Sequence, residues 1–465
     1  MGWDRNEILL ATGGRLLQSG PRVRFGEVVT DSNKAKRGSV FVALKGERLD
    51  GHRFVGDAVR RGADCVVVHR NPPRSACGAA SVVKVRDTLR ALGDLAHHRR
   101  RTYGPTVLAI TGSNGKTTTK EMLAAILEAV SPRKVSGRIL KTEGNFNNLV
   151  GLPLTLLRLR RRTKVAVVEL GTNRPGEIAR LAEIAAPDMG IITSVAAAHL
   201  EGLNSLAGVA REKGNLFKGI RPGGMIAVNL EDPWVRRLGE KFKGKKITYG
   251  KGGDVWAESW RSFGGQGMML ELRVGNRRCR VRLGFLGDHN VANATGAAAM
   301  AYGFGASLAA IRRGLQKVRP FPMRMQIENW RAIGIINDAY NANPASMEAA
   351  VKTLAAIRCR GEKTAILGDM FELGRQSRSQ HLLLGKQVAR AGIDRLYLLG
   401  AQAPQVKQGA VRGGMPTERI VIGKDHGDLA KRLKSHVSKG DWLLFKGSRG
   451  MKMELVLNKL KSAKA

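Results

Sequence analysis

The chain has 465 residues, too many for one ordinary hydrophobic core, so its length predicts two to four domains. Hydrophobic residues make up 43% and charged residues 25%, as in globular proteins, and no run of about 18 apolar residues is present to span a bilayer. The start of the chain lacks an export-signal pattern, and four dispersed cysteines without CxxC spacing argue against a zinc site or a disulfide framework, so we expect a cytoplasmic protein.

The charge balance is strongly basic, because 79 Lys and Arg residues stand against 38 Asp and Glu residues, a net charge of +41. Such an excess can attract nucleic acid, an acidic membrane surface or phosphorylated substrates. The basic residues are spread along the chain and aromatic residues make up only 5%, so platforms for stacking bases are scarce. We therefore favour a general basic bias of the host's proteins over nucleic-acid binding.

Residues 1–103 predict a small α/β domain. Apolar runs at 40–44 and 65–68 have the pattern of strands, and 54–61 has helical spacing. Polar, glycine-rich segments containing Ser32 and Lys45 lie at the ends of these strands, where loops often contact ligands. From these residues alone ordinary turns are the favoured interpretation. A basic helix ending in HHRRR then leads to a Gly-Pro linker at the predicted domain boundary.

The next segment predicts a phosphate-binding loop between a strand and a helix. An apolar run ends at Ile110, and Gly112 and Gly115 then allow a phosphate to approach the backbone. Lys116 supplies a positive charge, and Thr117 supplies a hydroxyl suited to a metal-bound nucleotide. Ile110 stands where the full signature has its first glycine. The strand and helix context favours nucleotide binding over an ordinary strand-to-helix turn.

Residues 104–318 alternate strand and helix patterns, which predicts a mainly parallel sheet covered by helices. The strand at 165–168 ends in Glu169, and a third strand at 189–195 runs toward His199. Carboxyl ends of parallel strands meet at one edge of the sheet, so both side chains could hold magnesium there. The alternatives are a solvent-facing acid and a structural histidine.

Two further polar features lie on predicted helices of this segment. Lys213 has the pattern of an ordinary solvated lysine in a basic protein. Asn290, with Asp288 and His289, lies at a helix start after a glycine turn, which plain helix capping would also explain.

Residues 319–465 predict a third, Rossmann-like domain after a proline-rich hinge. A strand at 333–336 leads into Asp338, Asn341 and Asn343. Further predicted strands lie at 364–367, 396–399, 420–422 and 442–445. The last strand is followed by a small-residue loop with Lys446, Ser448 and Arg449.

Taken together, these segments resemble the Mur ligase family, the ATP-dependent amide-forming enzymes of peptidoglycan precursor synthesis. The resemblance rests on separated motifs in the order of that family: TDSNKAKRGSVFVALKGERLDGH, ITGSNGKTTTKEM, EGNFNNLVGLPLTL, VVELGTNRPGEI, AAAHLEGLNSLAGVAREKG, DHNVANATGAA, NDAYNANPASM, LGDMFELG and FKGSRGMKME. Because they cover essentially the whole length, the set is far more specific than any one motif. The resemblance implies a central P-loop-type ATPase domain (104–318) between a UDP-sugar-binding domain (1–103) and an acceptor-binding domain (319–465).

The resemblance also implies roles for individual residues. ATP phosphates would lie in the loop formed by Gly112, Ser113, Asn114, Gly115, Lys116, Thr117 and Thr118. Mg²⁺ would be held by Thr117, Glu169, His199 and a carbamylated Lys213, whose added carboxylate turns a cation into an oxygen ligand. The nucleotide would also contact Asn290, Arg324 and Asp338. Lys116, Lys213, His199 and Asn148 would be catalytic, and substrates would contact Ser32, Lys45, Asn147, Asn341, Asn343, Lys446, Ser448 and Arg449.

The implied reaction joins D-alanyl-D-alanine to a UDP-N-acetylmuramoyl-tripeptide through an acyl phosphate, in a protein expected to be a monomer. Two alternative functions remain: a sibling ligase with another acceptor, including a folylpolyglutamate-type enzyme, and a more distant nucleic-acid-stimulated ATPase. Two positions depart from the family pattern. Asn33 stands where arginine is more usual, which weakens individual uridine-diphosphate contacts, and Met323 replaces a frequent glycine, which we interpret as tolerated backbone variation.

Overall fold

The computed structural model describes residues 2–130 and 138–462, and within them three separate large sheets follow one another along the chain. Helices accompany each sheet. The predicted fold class is therefore confirmed as an α/β chain of three domains around a mainly parallel central sheet. In the described ranges, no helix is long and apolar enough to cross a membrane.

The first domain is built on a five-stranded sheet. Its strand order is Arg15–Gln18, Ser81–Lys84, Ala63–Val68, Ser39–Val42 and Val28–Val29, and only the first pair is antiparallel. A separate antiparallel pair joins Trp3–Asp4 to Arg24–Phe25. The helices are Arg5–Thr12, Val55–Arg60, Arg74–Cys77 and Thr88–Tyr103, with short 3-10 turns at Ser32–Lys34 and Gly51–Phe54. The strands predicted at 40–44 and 65–68 and the helix predicted at 54–61 are confirmed.

The middle domain contains a nine-stranded sheet among the described residues. Its order is Arg277–Leu283, Met268–Val274, Val255–Ser262, Lys245–Tyr249, Met225–Asn229, Met189–Ile192, Thr106–Thr111, Val165–Glu169 and Ile139–Lys141. The helices are Lys116–Val130, Gly151–Leu156, Glu177–Ala185, Leu200–Leu203, Leu206–Lys218, Pro233–Glu240, Asp288–Gly303 and Leu308–Lys317, and a 3-10 turn covers Gly264–Gln266.

The phosphate-loop strand lies between two parallel neighbours. Thr106–Thr111 pairs with Val165–Glu169 on one side and Met189–Ile192 on the other. Buried apolar residues fill all three strands, as expected for strands covered on both faces. Their carboxyl ends therefore meet at one edge, as the sequence predicted. The third strand is shorter than the predicted 189–195 and ends at Ile192.

The regular alternation predicted for 104–318 is wrong over one stretch. Three antiparallel strands, Val255–Ser262, Met268–Val274 and Arg277–Leu283, extend the parallel sheet at one edge. In Met268–Val274 every second residue is buried, the alternation of a strand with one face on a core. That two-residue period and the Gly275–Asn276 turn were the signals for this meander.

The third domain has a six-stranded sheet in the described chain. Its order is Gln326–Trp330, Ile333–Asp338, Trp442–Lys446, Lys363–Gly368, Arg395–Leu399 and Ile420–Ile422, and only the first pair is antiparallel. The helices are Pro344–Ala355, Ser377–Arg390, Ala403–Arg412, His426–Lys434 and Glu454–Ser462, with 3-10 turns at Gly374–Gln376, Thr417–Arg419 and Arg449–Met451. All predicted strands are present, and Gln326–Trp330 was not predicted.

The arginine-rich end of helix Thr88–Tyr103 contains a buried arginine, Arg100, that connects the first and middle domains. The Arg100 guanidinium is 3% exposed and lies 2.8 Å from an Asp188 carboxylate oxygen. It also donates to the carbonyls of Ala185 and Ala186, where helix Glu177–Ala185 ends. A run of arginines in sequence therefore contains a residue that caps a neighbouring helix.

We expect Arg100→Ala to lower the thermal midpoint by about 5 °C, since removing one member of a buried ion pair costs about 2 kcal/mol or more. The matched control is Arg101→Ala, because Arg101 is the next residue in the same helix and is exposed. Calorimetry of both variants checks the expectation, and equal midpoints would contradict it.

Candidate functional site

A cavity of about 740 Å³ lies between the middle and third domains. The predicted residues that line it are Ser113, Asn114, Gly115, Lys116, Thr117, Thr118, Asn147, Asn148, Glu169, His199, Asn290, Arg324, Asp338, Asn341, Asn343 and Lys446. Most of the predicted nucleotide, metal and acceptor residues, which lie far apart in sequence, thus face one space.

The glycine turn adopts a backbone that suits phosphate binding. Gly115 has φ +80°, and a Cβ there would lie 2.1 Å from the Asn293 side-chain oxygen, so no larger residue fits. Lys116 Nζ donates to the Gly112 carbonyl at 2.7 Å. Burial lowers the pKa of Lys116, Glu169 raises it and Arg324 lowers it further. Lys116 and Arg324 thus lie near each other in the cavity, beside the Glu169 carboxylate.

Glu169 lies at the predicted place, at the end of its strand and against the phosphate loop. It is 2% exposed, and its two carboxylate oxygens accept from Thr117 Oγ1 and Asn147 Nδ2, each at 2.8 Å. A buried carboxylate beside a hydroxyl is an oxygen donor set that suits Mg²⁺. Thr117 and Glu169 therefore fit the implied metal, although the described residues contain no preassembled group of three His, Cys, Asp or Glu side chains.

His199 reaches the cavity from a position that differs from the prediction. It does not end a strand, since Met189–Ile192 stops earlier, and it lies instead before the short helix Leu200–Leu203 with φ 56°. Its Nδ1 lies 2.5 Å from Glu372 Oε2 of the third domain. This hydrogen bond lowers the pKa of Glu372 against the opposing effect of burial. Glu372 was not predicted as a functional residue.

Lys213 is on helix Leu206–Lys218 as predicted, but it is not a solvated lysine. It is 1% exposed. Burial lowers its pKa well below the ordinary lysine value, Lys116 lowers it further, and Glu212 acts in the opposite direction. A buried, readily neutral amine is the form that reacts with carbon dioxide, so the environment fits the implied carbamate.

Asn290 belongs to an amide network instead of a helix cap. The residue before helix Asp288–Gly303 is Gly287, which makes no side-chain cap. Asn290 is 2% exposed, donates to the Leu286 carbonyl at 2.8 Å and accepts from Asn293 at 3.0 Å. Asn293, which packs against Gly115 and lines the cavity, was not predicted, although it lies one helical turn after Asn290.

The third domain presents Arg324 and Asp338 to the cavity. The Arg324 guanidinium lies 3.8 Å from the centre of the Tyr340 ring. Asp338 accepts from the buried Lys446 Nζ at 2.6 Å, and Lys446 also donates to the Asn341 carbonyl at 2.8 Å. Met323, which precedes Arg324, has φ 59°, so methionine here keeps a left-handed backbone that suits glycine.

Four predicted substrate residues do not line this cavity. Ser32 and Lys45 lie in the first domain. The backbone of Lys45 forms an isolated antiparallel β-bridge with that of Asp50. The Ser448 hydroxyl accepts from the Phe371 backbone at 2.8 Å. Arg449 pairs with Glu454 at 2.8 Å.

Asn148 lines the cavity, but its side-chain oxygen accepts from the Gly151 backbone at 2.8 Å, at the start of helix Gly151–Leu156. This bond gives Asn148 a structural role beside the predicted catalytic one.

A reciprocal amide pair joins the phosphate loop to the third domain. Asn343 Nδ2 donates to Asn114 Oδ1 at 2.8 Å, and Asn114 Nδ2 donates to Asn343 Oδ1 at 3.3 Å. Asn343 also caps helix Pro344–Ala355 by accepting from Ser346 N. The domain contact and the helix cap thus share one side chain.

We expect Asn343→Ser to raise the KM for ATP about fivefold at an unchanged thermal midpoint, because serine keeps a capping oxygen but loses the amide pair. Asn343→Ala is the matched comparison, which loses the cap as well and should also melt earlier. Steady-state kinetics and calorimetry check both expectations. A serine variant with the wild-type KM would show that the pair does not stabilise the nucleotide-bound arrangement.

A glycine-rich phosphate loop facing a buried strand-end carboxylate, with a second domain closing the cleft, defines a nucleotide-dependent enzyme of the P-loop type. Three family models match the chain: "Mur ligase family, catalytic domain" over residues 24–100, "Mur ligase middle domain" over 110–301 and "Mur ligase, glutamate ligase domain" over 323–449. The chain belongs to the Mur ligase family.

Individual relatives match over nearly the whole chain. The UDP-N-acetylmuramoyl-tripeptide–D-alanyl-D-alanine ligase of Bacillus subtilis is 35% identical over 93% of this chain and 92% of its own. A crystal structure of MurF from Acinetobacter baumannii superposes with a TM-score of 0.92 at 32% identity, covering 100% of this chain and 99% of the other. MurF ligase from Thermotoga maritima in complex with ADP has a TM-score of 0.83 at 28% identity, covering 94% and 97%.

Proposed function

We propose that the protein is an ATP-dependent amide ligase that joins D-alanyl-D-alanine to the terminal carboxylate of a UDP-N-acetylmuramoyl-tripeptide, in peptidoglycan precursor synthesis. The observation that carries the proposal is the cavity of about 740 Å³ in which the phosphate loop of the middle domain faces Arg324 and Asn343 of the third domain. The substrates come from the names of relatives that match over 93% and 95% of the chain.

The reaction begins with transfer of the ATP γ-phosphoryl group to the tripeptide carboxylate, which gives an acyl phosphate and ADP. The amine of D-alanyl-D-alanine attacks the acyl carbon, a C–N bond forms as the C–O bond to the phosphoryl group breaks, and inorganic phosphate and a proton from the amine leave. Lys116 and Arg324 neutralise phosphate charge and align the reactants, which is most of what phosphoryl transfer requires from a protein. Bound Mg²⁺, held by Thr117, Glu169, His199 and the carbamate of Lys213, would supply further neutralisation of phosphate charge.

The three domains divide the substrates among them, with proposed boundaries at residues 1–103, 104–318 and 319–465. The first domain holds the UDP end through the loops that carry Ser32 and Lys45, and the middle domain holds ATP. The third domain holds the incoming dipeptide near Asn341 and Asn343 and closes on the nucleotide. This division explains why Ser32 and Lys45 lie outside the central cavity. We place the reaction in the cytoplasm, carried out by a monomer.

The test is phosphate release by the purified protein with ATP, Mg²⁺, the tripeptide precursor and D-alanyl-D-alanine. We expect release only when both substrates are present, with mass spectrometry detecting the joined product. An acceptor panel containing single amino acids and glutamate-extended folates separates the proposed ligase from its siblings. Release that needs neither substrate, or that nucleic acid stimulates in a salt-sensitive manner, would refute the ligase proposal.

A further inference from the structure

The motif LGDMFELG, at residues 367–374, has no role in the reaction as proposed. It begins at the end of strand Lys363–Gly368 and continues into the 3-10 turn Gly374–Gln376. Within it, Glu372 reaches from the third domain to the middle domain. Glu372 does not line the cavity, but its side chain contacts a neighbour that does.

That neighbour is His199, and two hydrogen bonds fix the contact. Glu372 Oε2 lies 2.5 Å from His199 Nδ1, and the Glu372 carbonyl accepts from the Glu201 backbone N–H at 3.1 Å. Both His199 and Glu372 have a left-handed backbone, with φ of 56° and 61°. Residues other than glycine adopt this conformation at an energetic cost, so it persists where the surroundings hold it.

The loop that carries Glu372 is held by its own domain. The Met370 backbone N–H donates to His381 Nε2 at 2.9 Å, and the Phe371 N–H donates to Ser448 Oγ at 2.8 Å. On the other side of Glu372, Leu373 is 2% exposed. The backbone on both sides of Glu372 is therefore held in place by the third domain. This differs from an ion pair between two surface side chains on flexible segments.

The contact has a consequence for the imidazole of His199. With Nδ1 bound to a carboxylate, Nε2 is the nitrogen left for the cavity that His199 lines. Histidines that bind metal ions usually donate their second ring N–H to a carboxylate or carbonyl, which sets the tautomer and the ring orientation. We propose that Glu372 is a positioning residue that orients His199 from the third domain, so that the metal site is complete only when this domain is docked.

This inference rests on the proposed role of His199 as a metal ligand. It adds that domain docking and metal binding are coupled through one carboxylate. Because Glu372 and His199 belong to different domains, opening the cleft separates the carboxylate from the imidazole. Metal and nucleotide would accordingly bind more tightly to the closed arrangement than to an open one, which makes the coupling measurable as a binding constant.

The experiment measures Mn²⁺ binding in the presence of ADP by electron paramagnetic resonance, with the full-length protein. We expect Glu372→Ala to weaken Mn²⁺ binding by about 10-fold or more, the usual effect of removing an outer-shell partner. Glu372→Gln keeps an oxygen acceptor and should lose less. The control is Glu418→Ala, which removes an exposed carboxylate from the same domain. His199→Ala should weaken binding at least as much as Glu372→Ala.

Wild-type Mn²⁺ affinity in Glu372→Ala, or in His199→Ala, would overturn the inference. Kinetics add a second readout: Glu372→Gln should need more Mg²⁺ for half-maximal rate and approach the wild-type kcat at saturation. A lowered kcat with unchanged Mg²⁺ dependence would also overturn it. Failure of the wild-type protein to release phosphate with both substrates would refute the proposed function instead. The Mn²⁺ titration needs no turnover, so it tests the role of Glu372 separately from the proposed reaction.

Discussion

Replacement of Lys213 by alanine is expected to lower ATP-dependent phosphate release by at least about 100-fold, comparable to removing a preorganised electrostatic group from an active site. Lys213 is 1% exposed, and the proximity of Lys116 adds to the cost of a charge on its amine. A neutral amine can add carbon dioxide, and the carbamate that forms is an anionic oxygen ligand. Alanine at this position removes both the amine and the carbamate.

The matched control is Lys218→Ala, which removes an exposed lysine from the end of the same helix and should leave the rate unchanged. Removing bicarbonate and carbon dioxide from the wild-type protein should lower the rate, and adding bicarbonate should restore it. A carbamate signal in the ¹³C NMR spectrum after incubation with labelled bicarbonate, absent from Lys213→Ala, identifies the modification. Full activity without bicarbonate, or in Lys213→Ala, would contradict carbamylation.

Much of the fold could be predicted because its signals are local. Apolar runs bounded by turn residues marked the strands around the phosphate loop and all but one strand of the third domain. The antiparallel strands between Val255 and Leu283 were missed because the whole of 104–318 was interpreted as alternating strands and helices. The two-residue alternation of apolar and polar side chains within this stretch was therefore not assigned to neighbouring strands. Gln326–Trp330 was missed because it directly follows the proline-rich hinge.

The candidate site was predictable where a side chain lies next to a strand end or a glycine turn. Glu169 and Lys116 are such residues, and the structure places both at the cavity. The burial of Lys213 was not predictable from residues alone, because a lysine within a basic helix has the same local pattern whether it faces solvent or a core. Contacts between domains, such as His199 with Glu372 and Asn114 with Asn343, depend on tertiary arrangement and leave no local signal.

Substitution of Glu169 by glutamine is expected to lower Mg²⁺-dependent phosphate release by about 100-fold, since it removes the buried charge beside the phosphate loop. Glutamine has nearly the same shape, but its amide offers one acceptor oxygen where Thr117 and Asn147 now donate to two. With its oxygen turned to Asn147, the glutamine amide would donate to the Thr117 hydroxyl, so the hydrogen bond from Thr117 reverses its direction. The neutral side chain also removes a charged ligand from the oxygen donor set that fits Mg²⁺.

Calorimetric titration of ADP with and without Mg²⁺ distinguishes this effect from general damage. We expect Glu169→Gln to bind ADP like the wild type in the absence of Mg²⁺ and to lose the tightening that Mg²⁺ brings. Glu128→Gln is the matched control, because Glu128 is exposed on the helix that begins at Lys116 and has no place in the cavity. An unchanged Mg²⁺ dependence in Glu169→Gln would remove Glu169 from the metal site.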